Sequence, residues 1–430
     1  MTSSSSHVAI IGAGLSGLSL GLVLHSQSIP CTIYESRDAS YNQGGGIMLS
    51  PNALRILDTL GVYSRIVEKG YSFESLAFMN GTGKLEGEYF FGDQQRYGYK
   101  ALRIYRHIIL QEMIALVKER GIPIFFNTKI NTVLSETGDE VTFQLKDGST
   151  KSAAILVGAD GIHSKIRRYI DPAVVPVYSG ILALTSSVST STLRFPTPLV
   201  NGGPTTYPLP AAISAAPGGF VIAPQDVNGD DSLVGTQRVF PERDRAGWDA
   251  LRSEPELLLG LLKQDIKDWP DLVQSALEAV EQGKVSAWPF YTLPRLEKWA
   301  SAGNRVIVVG DAAHAIPPTT GQGVNQAFED TYTLGLLLAK QSDAEGLTLA
   351  SSLNWWQGWR QERIDQILEL TRKMNNKRLP EAEQAKLAKG EVWKQREEGA
   401  RGEMDWLFRV DLKEEVEGWV AGEKKGSDLS

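Results

Sequence analysis

Gly12-Ala13-Gly14-Leu15-Ser16-Gly17 sets its glycines in the spacing Gly-x-Gly-x-x-Gly. Gly12 suits a tight turn. Gly14 lets backbone come close to a diphosphate, and Gly17 lets a helix lie against a strand. The amides opening that helix, with its positive end, attract an anion. Downstream, Glu35 ends the next apolar run, where a carboxylate accepts hydrogen bonds from the ribose hydroxyls of an adenosine and repels a 2′-phosphate. Together these residues form a site for a dinucleotide, NAD or FAD.

Regular elements must hold them. The apolar run His7 to Gly12 reads as a buried strand, Leu15 to His25 as a helix and Cys31 to Glu35 as a second strand, which makes a βαβ unit with a parallel sheet. Ser50 and Pro51 suit the N-cap and first position of a helix. A helix is expected around Ile104 to Arg120, small strands from Pro123 to Leu145, and an apolar strand from Ala154 to Gly158. Between about Pro172 and Val285 proline, glycine, serine and threonine are dense and short runs alternate, which predicts a mostly antiparallel β domain with a helix near Glu254 to Lys267. The apolar strand Arg305 to Gly310, a glycine-rich loop and a helix from Val324 to Lys340 come next, followed by a charged helical segment from Ser351. The domain division expected is 1–72, 100–175 and 285–345 for nucleotide binding, 73–99 and 176–284 for a β-rich substrate domain, and 346–430 for a C-terminal helical segment.

Two further motifs decide between NAD and FAD. Ile155-Leu-Val-Gly-Ala-Asp160-Gly161, continuing to Arg167, and Arg305-Val-Ile-Val-Val-Gly310-Asp311-Ala-Ala-His314, continuing to Pro318, resemble signatures of the class A FAD-dependent monooxygenases, the family of para-hydroxybenzoate and salicylate hydroxylases. With the N-terminal glycines, all three family signatures occur in order, and the resemblance spans roughly Val8 to Lys340. It implies a Rossmann-type α/β fold with an inserted β domain. It also implies that the first of these motifs, with Asp160 as its cofactor-binding residue, touches both FAD and the nicotinamide cofactor, and that Arg106 contacts FAD ahead of a helix. Gly46 and Ile47 would run beside the flavin, Asp311 would bind a ribitol hydroxyl, and the amides of Gly323, Val324 and Asn325 would point at the ring. Independently of the family, a glycine-rich loop opening a helix suits negative charge on a reduced flavin. Asp311 also reads as a helix N-cap and Arg106 as a surface ion-pair partner. The family treats His314 as mainly structural, and no catalytic residue is assigned.

The activity so implied is NAD(P)H-consuming hydroxylation of a small aromatic or related molecule, one oxygen atom coming from dioxygen through a flavin hydroperoxide. Epoxidation, or oxidative dearomatisation or inactivation of a polyketide, terpenoid or alkaloid, keeps the same fold, and secondary metabolism is a fitting setting. A flavin-free carrier resembling the GDP-dissociation inhibitors is the alternative from another class. No second strand-bound Gly-x-Gly-x-x-Gly occurs, which suits a family whose NAD(P)H has no Rossmann domain of its own. Tyr207, Arg194, Tyr291 and Trp288 are candidates to line the substrate pocket.

Bulk properties narrow the partners. With 430 residues the chain suits two or three domains, and a net charge of −7 argues against a nucleic-acid partner. The single cysteine, Cys31, excludes an internal disulfide, and the other histidines, His7, His25, His107 and His163, lack metal-ligand spacing. The N-terminus does not read as a secretory signal and no run suggests an integral anchor, so a cytoplasmic monomer or homodimer is expected. The tryptophans of Asn354-Trp-Trp-Gln-Gly-Trp-Arg360 fit packing within the chain, a cover over the active site, or a subunit contact.

Overall fold

A computed structural model describes residues 7–41, 45–196, 207–341, 347–377, 385–393 and 402–427. Five parallel strands run in the order Val306–Val308, Ile155–Gly158, Val8–Ile11, Cys31–Tyr34 and Ile124–Phe125. Val8 pairs with Ile155 on one side and Cys31 on the other, so the first strand is central. All four of its residues are buried, as continuous apolar strands covered on both faces must be. The helix Leu15–Ser26 covers the sheet and packs against Gly323–Lys340. Cys31 lies buried in its strand, where desolvation pushes the thiol up to about 11.

The second large sheet has seven strands, in the order Ser286–Thr292, Val177–Ser189, Asp231–Val239, Gly218–Pro224, Ala211–Ala215, Ser75–Asn80 and Leu85–Phe90. Its neighbours are antiparallel except Ala211–Ala215 beside Ser75–Asn80. The helices Arg245–Arg252, Pro255–Lys263 and Asp271–Ala279 contribute Trp248, Leu258 and Val273 to a separate core with Leu184 and Phe220 of this sheet. Between the two large sheets lies a small one, in which Ala101–Tyr105 pairs antiparallel with Gly46–Leu49 and with Tyr71–Phe73.

Two local expectations change. The helix expected from Ile104 begins at Arg106, because Ala101–Tyr105 is paired on both sides as a strand, with Leu102 and Ile104 on one face and Arg103 and Tyr105 on the other. Ser50 does not cap its helix through its side chain; its Oγ donates to Asn52 Oδ1 at 2.6 Å. The C-terminal helix Leu349–Lys377 joins the nucleotide-sheet core through Trp356, which is fully buried and donates from Nε1 to Thr333 Oγ1 at 2.9 Å. Trp355 lies outside, stacked between Trp359 and Trp419.

Candidate active site

The three motifs meet at the C-terminal ends of neighbouring strands. Gly12 has φ +108°, and a Cβ there would lie 2.4 Å from the carbonyl oxygen of Ala159, next to Asp160. A Cβ on Gly17 would lie 1.9 Å from the Gly12 carbonyl oxygen. Gly14 differs, with no atom within 4 Å of its Cβ position. Two glycines therefore serve close packing, and the third faces open space at the N-terminus of Leu15–Ser26. Across the chain, a Cβ on Gly310 would meet Ser16 Oγ at 2.7 Å, which brings the Gly310-Asp311 turn against the same helix.

Glu35 stands at the mouth of this cleft. Its Oε2 accepts from Ala13 N at 2.7 Å and its Oε1 from Arg37 N at 2.8 Å, so backbone amides fix the carboxylate beside the glycine turn. The Arg37 guanidinium lies 4.1 Å over the Tyr41 ring, and both line the cleft with Glu35, Gly14 and Arg106. Arg106 begins its helix and donates its backbone N–H to Gly45 O at 2.9 Å. Its Nε is shielded from water and has no acceptor. Burial lowers its pKa, while the charge of Asp311 pulls it back up. A shielded cation next to a free helix N-terminus is unfavourable unless an anion arrives, so these residues fit the diphosphate of a dinucleotide.

At the other end, Gly46 and Ile47 pair with Tyr105 and Ile104 and are half-buried. The loop after Pro317 passes through Gly321, at φ +63°, into Gly323–Lys340. Asn325 clamps that loop. Its Oδ1 accepts from Ser50 N at 3.0 Å, and its Nδ2 donates to Met48 O at 3.1 Å and Gly321 O at 2.7 Å. The amides of Gly323 and Val324 lie in the first helical turn, where no intrahelical acceptor exists. The side chain of Asn325 thus sets the position of a loop to which the sequence assigned amide contacts.

Asp160 is turned into its own loop, its Oδ1 accepting from Ser164 Oγ at 2.5 Å and its Oδ2 from Lys165 N at 2.7 Å. Arg167, fully buried, donates to Ile162 O at 2.6 Å and Ala312 O at 3.1 Å, joining the two later motifs. Asp311 is exposed on its turn. Of the pocket candidates, Arg194 is held at the surface by Asp271 at 2.8 Å and Glu278 at 2.6 Å, and Trp288 is exposed. Tyr291 receives Trp248 Nε1 at 2.9 Å, and Tyr207 packs on Phe195 in the second core.

A buried ion network, which sequence reasoning missed, braces the site from behind. Glu329 accepts from Asn52 Nδ2 at 2.6 Å, from Arg363 Nε and Nη2 at 2.8 Å each, and from Arg360. Asp330 accepts from Arg360 Nε at 2.9 Å, from the Gly310 amide at 2.9 Å and from His314 Nε2 at 2.6 Å. His314 is therefore a buried link between the Gly310 turn and the long helix. Burial pushes Glu329 up, but Arg363 and Arg360 outweigh it and bring its pKa down to about 2 from an ordinary 4.5. Asp330 is also pushed up by burial and lowered overall by His314 and Arg360. A depressed folded-state pKa contributes stability that is present above the unfolded value and lost as pH falls through the folded value. Stability should therefore fall from about pH 4.5 toward pH 2. In urea titrations across that range, Glu329→Gln should start less stable and show a shallower fall. An acid limb as steep as that of wild type would assign the loss to other carboxylates.

A family model described as an FAD binding domain matches residues 5–351. The chain belongs to the class A FAD-dependent monooxygenases. It therefore binds FAD. The monooxygenase is 28% identical to 3-amino-4-hydroxybenzoate 2-monooxygenase PtmB3 of Streptomyces platensis, over 88% of this chain and 90% of that protein. It is 28% identical to hispidin-3-hydroxylase of Neonothopanus nambi, over 78% of this chain and 81% of that protein. Among solved structures, CtdE in complex with FAD and a substrate shares the fold, with a TM-score of 0.74 and 21% identity over 98% of this chain and 100% of that one.

Proposed function

We propose that the monooxygenase consumes NAD(P)H and hydroxylates a small aromatic or related organic substrate with one atom of dioxygen. FAD, when bound, supplies the electron transfer and oxygen activation. The chain supplies binding, charge and exclusion of water. In this reading Gly12, Gly14, Gly17, Glu35, Arg106 and Asp311 hold the ADP and ribitol portion, with Asp160 shaping the turn beside Gly12. Gly46, Ile47, Gly323, Val324 and Asn325 border the ring. The observation that carries the reading is the placement of the Gly321 loop. A Cβ on Gly321 would meet Met48 Cε at 2.7 Å and Phe91 Cε1 at 3.1 Å, so the loop closes against the small sheet at its junction with the β domain, where a substrate beside the ring is shielded from water. The names of the relatives support an aromatic substrate. Among the described residues no helix is long and apolar enough to cross a membrane.

The test is anaerobic addition of NADPH or NADH to the purified holoenzyme with and without a panel of phenols and aromatic acids, followed by admission of labelled dioxygen. Faster bleaching with one compound, and a product carrying a single labelled oxygen atom, are expected. Hydrogen peroxide as the only oxygen product with every compound would sink the hydroxylase reading.

A further inference from the structure

Arg103 lies on the face of Ala101–Tyr105 opposite Leu102 and Ile104, with Met48 and Tyr71 as its strand partners. It is 8% exposed, and its Nε is shielded without an acceptor. No ion pair to it occurs among the described residues. Burial lowers its pKa to about 10, with only the Tyr105 hydroxyl pulling the other way. The Tyr105 phenol is otherwise engaged, since its Oη bonds Asp231 and lies 3.1 Å from Ser187 Oγ. Gln225, at the end of Gly218–Pro224 in the β domain, is fully buried. Its Nε2 donates to Ala223 O at 2.8 Å, and its Oε1 has no partner. The two unsatisfied groups converge, because a Cβ on Gly46 would lie 2.2 Å from Gln225 Oε1 and 3.3 Å from Arg103 Nη2. They therefore meet over the strand expected to border the flavin ring, one from the small sheet and one from the β domain.

A buried guanidinium with no counter-ion is costly, and its planar fork matches a carboxylate. An acceptor shielded from water likewise requires a donor. We propose that Arg103 and Gln225 form the substrate's polar anchor: Arg103 pairs with a carboxylate on an aromatic ring, and Gln225 Oε1 accepts from an N–H or O–H group of the same molecule. This rests on the hydroxylase reading above and narrows its substrate to aromatic acids. Both residues touch substrate, and their task is orientation of the ring rather than proton transfer.

The experiment uses holoenzyme and a matched pair of probes, 3-amino-4-hydroxybenzoate and 2-aminophenol, which differ by the carboxylate. Salicylate and phenol serve as a second pair. Binding is read from the perturbation of the FAD visible spectrum. Wild type should bind each acid at least about tenfold more tightly than its neutral partner. Arg103→Met should remove that preference, Arg103→Lys should restore part of it, and Gln225→Leu should weaken acid and neutral probe alike. Arg103→Met should also raise the melting temperature of the ligand-free protein, because a buried unpaired charge is gone. Equal binding of acid and neutral probes by wild type, or no response to any acid, overturns the anchor. So does an Arg103→Met protein that is less stable, or one whose flavin potential shifts while the acid preference stays, since the cation would then serve the fold or the flavin. Failure of the hydroxylase reading appears elsewhere, as absence of labelled oxygen in any product from a protein that still prefers acids.

Discussion

Arg360→Met should destabilise the protein by about 3–5 kcal/mol, read as a lower urea midpoint at neutral pH. The side chain is fully buried and donates to three residues. Nε reaches Asp330 at 2.9 Å, Nη1 reaches Glu329, and Nη2 reaches Gln326 Oε1 at 2.6 Å. Methionine fills much of the volume but leaves Asp330 charged in the core, with His314 and the Gly310 amide as its remaining partners. Most of the loss is the penalty of an uncompensated carboxylate, so Asp330→Asn in the same chain should recover part of it. By contrast, the exposed pair of Arg194 with Asp271 should contribute little when broken. The effect should also reach the cofactor. Asp330 holds the amide of Gly310 in the turn carrying Asp311, and FAD content of the purified variant should fall with stability. A single variant that loses less than about 1 kcal/mol would show that the network relaxes without harm, and the Gly310 turn would then need another anchor.

How far such features could be read in advance depends on how local their causes are. The glycine motif was legible because turn, amides and helix N-terminus lie within one stretch of chain, and Gly17 is needed for packing within that stretch, whereas the close approach of Gly12 to Ala159 is long-range. The α/β layering was legible for the same reason, since Val8–Ile11 is apolar at every position and Asp231–Val239 alternates. Long-range partnerships were not. Glu329 and Asp330 share a helix with the apolar run Leu334 to Leu338, which signals buried charge. Their partners Arg360 and Arg363 lie on the next helix, in a segment whose tryptophans drew attention instead. Asp160 and Asn325 carried family roles toward a cofactor, yet their side chains serve the backbone around the site. Arg103 went unnoticed because a helix was expected from Ile104. The alternation of Leu102 and Ile104 with Arg103 and Tyr105 was the available signal, and a charge on the polar side of a short strand between two domains has no local explanation.

Gly14→Ala and Gly17→Ala should part company, and the difference locates the diphosphate. Gly14 has extended backbone, φ −73° and ψ −178°, that alanine adopts without strain, and its Cβ would meet nothing within 4 Å. The apo-protein should keep its stability to within about 0.5 kcal/mol. FAD affinity should nevertheless fall on the order of 100-fold, because the added methyl occupies the space through which a diphosphate reaches the amides opening Leu15–Ser26. At Gly17 the methyl would lie 1.9 Å from the Gly12 carbonyl oxygen and 3.3 Å from Ile10 Cγ2, so helix and central strand must separate. That variant should lose stability and FAD together. Melting of the apo-proteins and FAD titration by fluorescence quenching separate the cases. If Gly14→Ala bound FAD as wild type does, the diphosphate would have to lie away from this helix, and the shielded Arg106 would need a different anion to answer it. If it failed to fold, the open space at Gly14 would be filled by chain in solution, and the glycine would have the same packing role as its neighbours.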